Sequence, residues 1–594
     1  MSRPGRPGTT AAVFVGGVFS FVVAVNLVRL IRPALLLDPE PAWAVARLLL
    51  WVGILSATTS AGVLAAAGFL LWNRSWLGRV GPGPLSLSRS TLVVVAVAAI
   101  GIGVFFRAVG FGRVPIHFIE DDINLISPAL ALTGSWRDFA DSIRPIPHGS
   151  PDPHEVIGVL YLRLLRGVLH VFGTTIVGVR FLSFLGGALS LLTGTLLGRA
   201  LLPRGGGAIV ALVLAGMRWH LILSRWGWHS ILLVVLLDAA TLLLLVARRQ
   251  GRAAPAIAAG LLVGIGAHFY LVAWVPAVAL LTFCLWPPSG SERRVARLHR
   301  FAGCAAGLLL AAAPLFLLHE GRTRPYFGRA GHHSVVAEMR YTRSLLPLFS
   351  VAADAFVAPW FLPEPAGWMD LPGRSRLGLV LGIPVAIAFG RALAAPREEL
   401  SALLLLQAAA GCAAAVAAGQ AGHPHGFRYG YLTSLTAVAA AAGILQLVRL
   451  PPSSLRRAGE ISAIGLLAVS GAAGARDALL RWPDHRATFD GFSGQDTLIG
   501  RTAARWETYG LVRVAPHLGR SDTTIDTVRR YRLALELPRS AVRSGPGAEG
   551  RAQRLFRIVP ADVVAEADER LVEHVRDGWG REWAIVLARA IRGS

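Results

Sequence analysis

The sequence contains no lysine: all 59 basic residues are arginine, set against 35 acidic ones for a formal net charge of +24. An arginine-only excess points to a GC-rich bacterial genome and argues against a nucleic-acid footprint. Cysteine is nearly absent. Cys284, Cys304 and Cys412 all sit within apolar runs, without metal-ligand spacing or a disulfide framework, which leaves core thiols. Charge is scarce as well. With 16% charged and 54% hydrophobic residues over 594 positions and a mean hydropathy of +0.54, the chain has too little polar surface for a soluble globule. It reads as an all-α polytopic membrane protein.

A bilayer core of about 30 Å takes about 20 apolar helical residues, and lipid excludes unsatisfied backbone, so the apolar runs are expected to be helices. They fall at 11–31, 43–72, 91–109, 177–198, 206–222, 230–247, 254–269, 271–286, 301–318, 376–392, 400–418, 430–449 and 460–476. That makes about thirteen spans. Alternate short connections carry arginine: Arg3 and Arg6; Arg74, Arg79 and Arg89; Arg248, Arg249 and Arg252; Arg293, Arg294, Arg297 and Arg300; Arg449, Arg456 and Arg457. Basic residues stay in the cytoplasm, so the N-terminus is expected inside and the C-terminus outside. The opening MSRPGRPGTTAAVFVGGVFSFVVAV has no small-residue cleavage site after it and reads as a retained first span.

On this topology the elaborated face is external. It carries loops at 110–173 and 319–376 and a tail at 477–594. Within the tail, TLIGRTAARWETYGLVRVAP passes from helical to strand-like periodicity, which predicts a small α/β domain. The last segment, DERLVEHVRDGWGREWAIVLARAI, has helical amphipathic spacing and is expected to cap that domain or lie on the membrane surface.

The first outer loop opens on three consecutive carboxylates, Glu120, Asp121 and Asp122, in IEDDINLISPALALTGSW. Acids beside a bilayer need water, a cation or a catalytic use. One of Asp121 and Asp122 would serve as N-cap of INLISPALALTG, with Gly134 ending that helix, but one cap does not account for three acids. Consecutive helical positions diverge by about 100°, so only one or two can face a common site. Asp152 and Glu155 close the same loop. Acids from its two ends could serve one site as base and ligand, or form a solvated surface.

The chain resembles the GT-C superfamily of membrane glycosyltransferases, in its protein O-mannosyltransferase and aminoarabinose-transferase-like branch. The resemblance rests on motifs in order: EDDINLISPALALTGSW, then LHVFGTTIVGVRFLSFLGG, RWHLILSRWGWHSILLVVLL, GLLVGIGAHFYLVAWVPAVAL, WMDLPGRSRLGLVLGI and GHPHGFRYGYLTSLTAVAAAAG. It covers roughly 91–476, each motif being loose by itself. Residues 1–90 then hold two extra spans, and 477–594 an appended external domain.

The resemblance implies transfer of a sugar, with inversion, from a polyprenyl-phosphate-linked donor to a protein, lipid or envelope-glycan acceptor at the external face of a bacterial inner membrane. It implies Asp121 as the first acidic position with Asp122 next, as base or cation ligand. Glu120 is an alternative by a one-residue slip, and the family's Asp-Glu pair here reads Asp-Asp. Glu155 matches the second loop carboxylate. A divalent metal held by Asp121 and Asp122 is compatible with the acids, though the family does not always require one. For the donor phosphate the outer-face candidates are Arg225, His229, His268, Arg428 and Tyr429; bidentate geometry favours the arginines. The competing reading of Arg225, Trp226 and Trp228 is an interfacial anchor belt, and of His268 a packed interfacial histidine. Arg324, Arg329, His332 and His333 read as a solvated basic loop. Asp238, an intramembrane acid, receives no role from the resemblance. A transporter or flippase is the competing class, disfavoured by the lack of an internal repeat; a scaffold displaying the tail is a third.

Overall fold

The structure is a computed structural model that describes residues 81–112, 114, 125–132, 146–147, 156–157, 159–287, 292–317, 335, 339–340, 343–345, 360, 369–418, 426–492, 498–499, 502, 505–506, 511–514, 554–561, 565, 569–576, 580 and 582–590. The chain divides into two compact units. One gathers Met1–Gly81 with Ile387–Pro396, and the other holds Pro82–Ala386 and Arg397–Ser594. The predicted spans at 11–31 and 43–72 lie outside the described residues.

Each apolar run read between 91 and 476 is helical over most of its described length. The helices are α1 (Arg89–Ala108), α2 (Ile126–Ala131), α3 (Val159–Phe172), α4 (Ile176–Leu201), α5 (Gly206–Gly216), α6 (Arg218–Leu223), α7 (Ser230–Gln250), α8 (Ala254–Phe269), α9 (Trp274–Leu285), α10 (Arg294–Leu317), α11 (Gly378–Ala394), α12 (Glu399–Ala418), α13 (Thr433–Leu447), α14 (Arg456–Arg476) and α15 (Arg486–Gly491). Among the described residues, 6 helical stretches are long and apolar enough to cross a membrane, or up to 7 if the bent α11–α12 pair is one span; α5, α8 and α9 are shorter apolar helices. Local chemistry fixes several ends. Ser88 accepts from the Thr91 amide and Thr175 from the Gly178 amide as N-caps, and Gly251 ends α7 at φ +66°, a left-handed position that glycine occupies without strain.

The expected single span 206–222 is broken. Met217 is extended (φ −64°, ψ 109°) and separates α5 from α6. The break releases the carbonyls of Leu214 and Ala215, and a fully buried arginine on α1 takes them: Arg107 donates to Leu214 O at 3.0 Å and Ala215 O at 3.5 Å. Buried carbonyls need such partners, so the break and the intramembrane arginine explain each other.

Small residues set the tightest helix contacts. Gly260 and Gly264 on α8 face Gly303 and Gly307 on α10, two GxxxG motifs packed against each other. A Cβ at Gly260 would overlap the Cys304 carbonyl oxygen, and one at Gly307 the Ile257 carbonyl oxygen. Lipid gives helices little hydrophobic drive to associate, so close backbone approach supplies the attraction.

The helix ends in the larger unit sort into two faces. On one, Ser86 Oγ donates to Glu460 at 2.6 Å, Arg249 donates to Ala200 O at 2.8 Å and approaches Glu399 at 3.3 Å, and Arg300 pairs with Glu292 at 2.6 Å. These are the short arginine-bearing connections. The other face joins the α1 C-terminus, the α4 N-terminus and the α6–α7 corner.

The tail holds a four-stranded mixed sheet of β3 (Leu511–Val514), β4 (Arg554–Pro560), β5 (Arg570–Arg576) and β6 (Glu582–Ala590), in the order β3-β4-β6-β5; β1 (Ile146–Pro147) and β2 (Val156–Ile157) form a separate short pair in the loop at 110–173. β3 runs parallel to β4 and the other pairs are antiparallel. The amphipathic helix predicted for the last segment is therefore corrected to a β5–β6 hairpin. β6 is a central strand buried on both faces, with Ala584 and Val586 in one cluster and Ile585 and Leu587 in another. A continuous apolar run of that length fits a helix or a doubly buried strand equally by periodicity.

Candidate active site at the helix ends

α1 ends at Ala108, and its last carbonyls have no partner within the helix. Arg225, in the α6–α7 corner, supplies them. Its Nη1 donates to Phe106 O at 3.0 Å and Arg107 O at 2.9 Å, its Nη2 to Val109 O at 2.7 Å, and its Nε to Val114 O at 3.2 Å. Burial, with the neighbouring Arg180 charge, lowers the Arg225 pKa to about 10, so the guanidinium stays charged at neutral pH. A cation at a helix C-terminus also meets the negative end of the helix dipole. Arg225 thus clamps the root of the loop at 110–173 to the corner, with four of its N–H···O contacts spent on backbone.

Arg107 continues the network inward. Its Nη2 lies 2.6 Å from His220 Nδ1; guanidinium can only donate, so Nδ1 accepts and Nε2 carries the hydrogen toward Ser190 Oγ at 2.7 Å. Ser190 passes its own hydrogen to Gly187 O at 3.0 Å. The chain of bonds ties α1, α4 and α6 into one block beneath Arg225.

An aromatic layer adjoins the clamp. The His229 ring stacks on Trp228 at 4.5 Å and meets Tyr161 at 5.3 Å and Tyr270 at 5.0 Å edge-on. Trp226 stacks on Trp228 at 5.5 Å, and Ser183 holds the Trp228 carbonyl at 2.9 Å. Tyr161 belongs to α3, whose apolar face buries Leu162, Leu165 and Leu169 against Leu125, Ile126, Ala129, Val179 and Phe269.

Glu120, Asp121, Asp122 and Glu155 lie outside the described residues, while their chain neighbours are anchored. Val114 is held by Arg225, Leu125 and Ile126 are buried under Tyr161, and Val156 and Ile157 pair with Pro147 and Ile146. Among the described residues no group of three or more His, Cys, Asp or Glu could hold a metal ion. Arg225 and His229 both lie in the α6–α7 corner, Arg225 bonded to the α1 end and His229 in the aromatic layer. His268 is buried and turned toward α10, with Nε2 2.8 Å from Ala311 O. Arg428 and Tyr429 belong to a 3-10 turn at Gly426–Leu432. That turn reaches the corner at Gly430, where a Cβ would stand 2.9 Å from Leu223 and 3.7 Å from Ser230 Oγ.

Sequence reasoning passed over an ionic knot on the same face. Arg218 grips Asp370 with Nε–Oδ1 at 2.6 Å and Nη2–Oδ2 at 3.1 Å, and donates to Ser375 O at 2.8 Å. Asp477, where α14 passes into a π-helical turn at Asp477–Arg481, receives Arg374 at 2.6 Å and Arg481 at 3.2 Å, with Arg218 at 3.6 Å. The legible signal was an isolated arginine opening RWHLIL directly after an apolar run.

These elements define a multi-pass, predominantly helical membrane protein with a buried arginine clamp and an aromatic layer at one face. No protein-family model matches the chain, and no curated protein does. Among solved structures it is similar to ArnT from Cupriavidus metallidurans bound to undecaprenyl phosphate, at 15% identity over 84% of this chain and 98% of the other, with a TM-score of 0.46. The same ArnT in the apo state gives 16% identity, the same shares, and 0.47. The Archaeoglobus fulgidus oligosaccharyltransferase in the apo form is 16% identical over 77% of this chain and 62% of its own, at 0.44.

Proposed function

We propose that the chain is an inverting membrane glycosyltransferase that moves a sugar from a polyprenyl-phosphate-linked donor to a hydroxyl-bearing acceptor at the outer face of the bacterial inner membrane. The observation that carries the reading is that the described residues before and after the acidic run are held, Val114 by Arg225 and Leu125 with Ile126 in the α3 core. A catalytic carboxylate must be held on rigid support to be useful. A mere solvated loop needs no such clamp.

In the proposed reaction Asp121, assisted by Asp122, accepts the acceptor hydroxyl proton; Glu120 and Glu155 complete the acidic surroundings. The acceptor oxygen forms a bond to the anomeric carbon from the face opposite the phosphate. The anomeric C–O bond breaks with its electron pair leaving on the phosphate, which needs cationic stabilisation. Arg428, beside Tyr429 and one segment away from His229, is the preferred phosphate partner. Arg225 is a positioning residue, since its hydrogen bonds hold the loop root, and His268 packs α8 on α10.

The test is transfer from a labelled polyprenyl-phosphate-sugar in membranes carrying the protein. Full activity in both Asp121→Asn and Asp122→Asn would remove the proposed site. Lipid movement or uptake in proteoliposomes without a covalent sugar product would favour the transporter reading.

A further inference from the structure

Within the bundle, Asp238 on α7 receives Thr193 Oγ1 at 2.9 Å across from α4. It also lines a cavity of about 20 Å³ together with Thr241, Gln407 and Tyr431. Thr241 lies three residues on from Asp238 and is turned back onto Leu237 O at 2.7 Å. Gln407, on α12, and Tyr431, in the 426–432 turn, are 6% and 5% exposed. Neither Gln407 Oε1 nor Tyr431 OH has a hydrogen-bond partner among the described residues, so they do not bond to each other. A Cβ at Gly411, one helical turn beyond Gln407, would lie 3.5 Å from Tyr431 OH, so Tyr431 faces the same side of α12 as Gln407.

We propose that this cavity binds a single water molecule, hydrogen-bonded to Tyr431, Gln407 and Asp238. Two orphaned buried polar atoms beside a carboxylate are costly. A buried water needs about 10–15 Å³ and two to four polar partners, and both conditions are met. The bonding roles also match: water accepts from the tyrosine hydroxyl and donates to the amide and carboxylate oxygens. A bare cation could not accept the tyrosine hydrogen. The water joins α7, α12 and the turn that carries Arg428, and it is independent of the chemistry at the outer face.

The test uses the purified full-length protein in thermal unfolding, comparing wild type, Tyr431→Phe, Gln407→Leu and the double variant. Each single substitution breaks the bridge, so both lower the midpoint and the double variant falls no further than the worse single. Additive losses overturn the shared water. Exchange of sodium for choline at fixed ionic strength leaves the wild type unchanged; a sodium-dependent rise that Asp238→Asn abolishes overturns the water in favour of a cation site. An experimental density map of the wild type showing one ordered water within hydrogen-bond distance of all three groups supports the site. A dry cavity there refutes it without any variant.

Discussion

Arg225 Nη1 donates to the Arg107 carbonyl at 2.9 Å, so the corner before α7 holds the end of α1. Replacement by lysine keeps the charge but cannot reach Phe106, Arg107, Val109 and Val114 together. Hydrogen bonds from a charged donor contribute about 1.5–3 kcal/mol each, and misplacement of a catalytic loop by about 1 Å costs on the order of 10²-fold in rate. Arg225→Lys is therefore expected to lower kcat about that much with the donor KM unchanged. A raised donor KM with unchanged kcat would instead make Arg225 a phosphate ligand.

Neutralising the acidic run one position at a time should separate the three carboxylates. Loss of a general base costs about 10²–10⁴-fold, so Asp121→Asn is expected to show the largest fall in kcat. Asp122→Asn should fall less, and Glu120→Gln least. Steady-state transfer rates at saturating donor give the order. A largest effect at Glu120 would shift the catalytic position by one residue.

The apolar helices were legible because span length and composition carry that information directly. The interruption at Met217 was not, because the polar step Arg218-Trp219-His220 in GGAIVALVLAGMRWHLIL is followed at once by apolar Leu221, Ile222 and Leu223, so the run still reads as one span. Only the buried Arg107 hints at released carbonyls, and that pairing spans over a hundred residues. At the tail, EWAIVLARA reads as helix or buried strand until β4 and β5 flank it. Arg225 was legible as a residue of interest in SRWGWHS; its acceptors were not, since backbone carbonyls leave no mark on a sequence. The aromatic layer around His229 draws Tyr161 from α3 and Tyr270 from the α8–α9 break, which no local pattern connects.

The reciprocal glycine packing predicts a graded series. A methyl at either glycine meets a backbone carbonyl, which cannot rotate away; at Gly260 it overlaps the Cys304 oxygen deeply, whereas at Gly264 it stands 2.7 Å from Leu308 O and 2.6 Å from the Ala311 Cβ. At Gly465 it meets nothing within 4 Å. Overpacking costs about 1–3 kcal/mol, while Gly→Ala on an open helix surface gains up to about 1 kcal/mol. Thermal midpoints are expected to rank Gly465→Ala at or above wild type, then Gly264→Ala, then Gly260→Ala. Equal midpoints across the series would mean that α8 and α10 do not pack this closely.

The Arg218 knot predicts an asymmetry between its partners. Arg218 and Asp370 are 7% and 1% exposed, and stripping one member from a buried pair costs about 3–5 kcal/mol because the survivor stays desolvated. Removing Asp370 still leaves Arg218 with Asp477 at 3.6 Å and the Ser375 carbonyl at 2.8 Å. Removing Arg218 strips Asp370 of the guanidinium that holds both its oxygens, while Asp477 keeps Arg374 and Arg481. Arg218→Met is therefore expected to lower the unfolding midpoint more than Asp370→Leu. The double variant should lie above Arg218→Met alone, because no unpaired carboxylate remains at position 370. A double variant less stable than Arg218→Met would show that Asp370 contributes favourably without its partner, and would overturn the unpaired-carboxylate account.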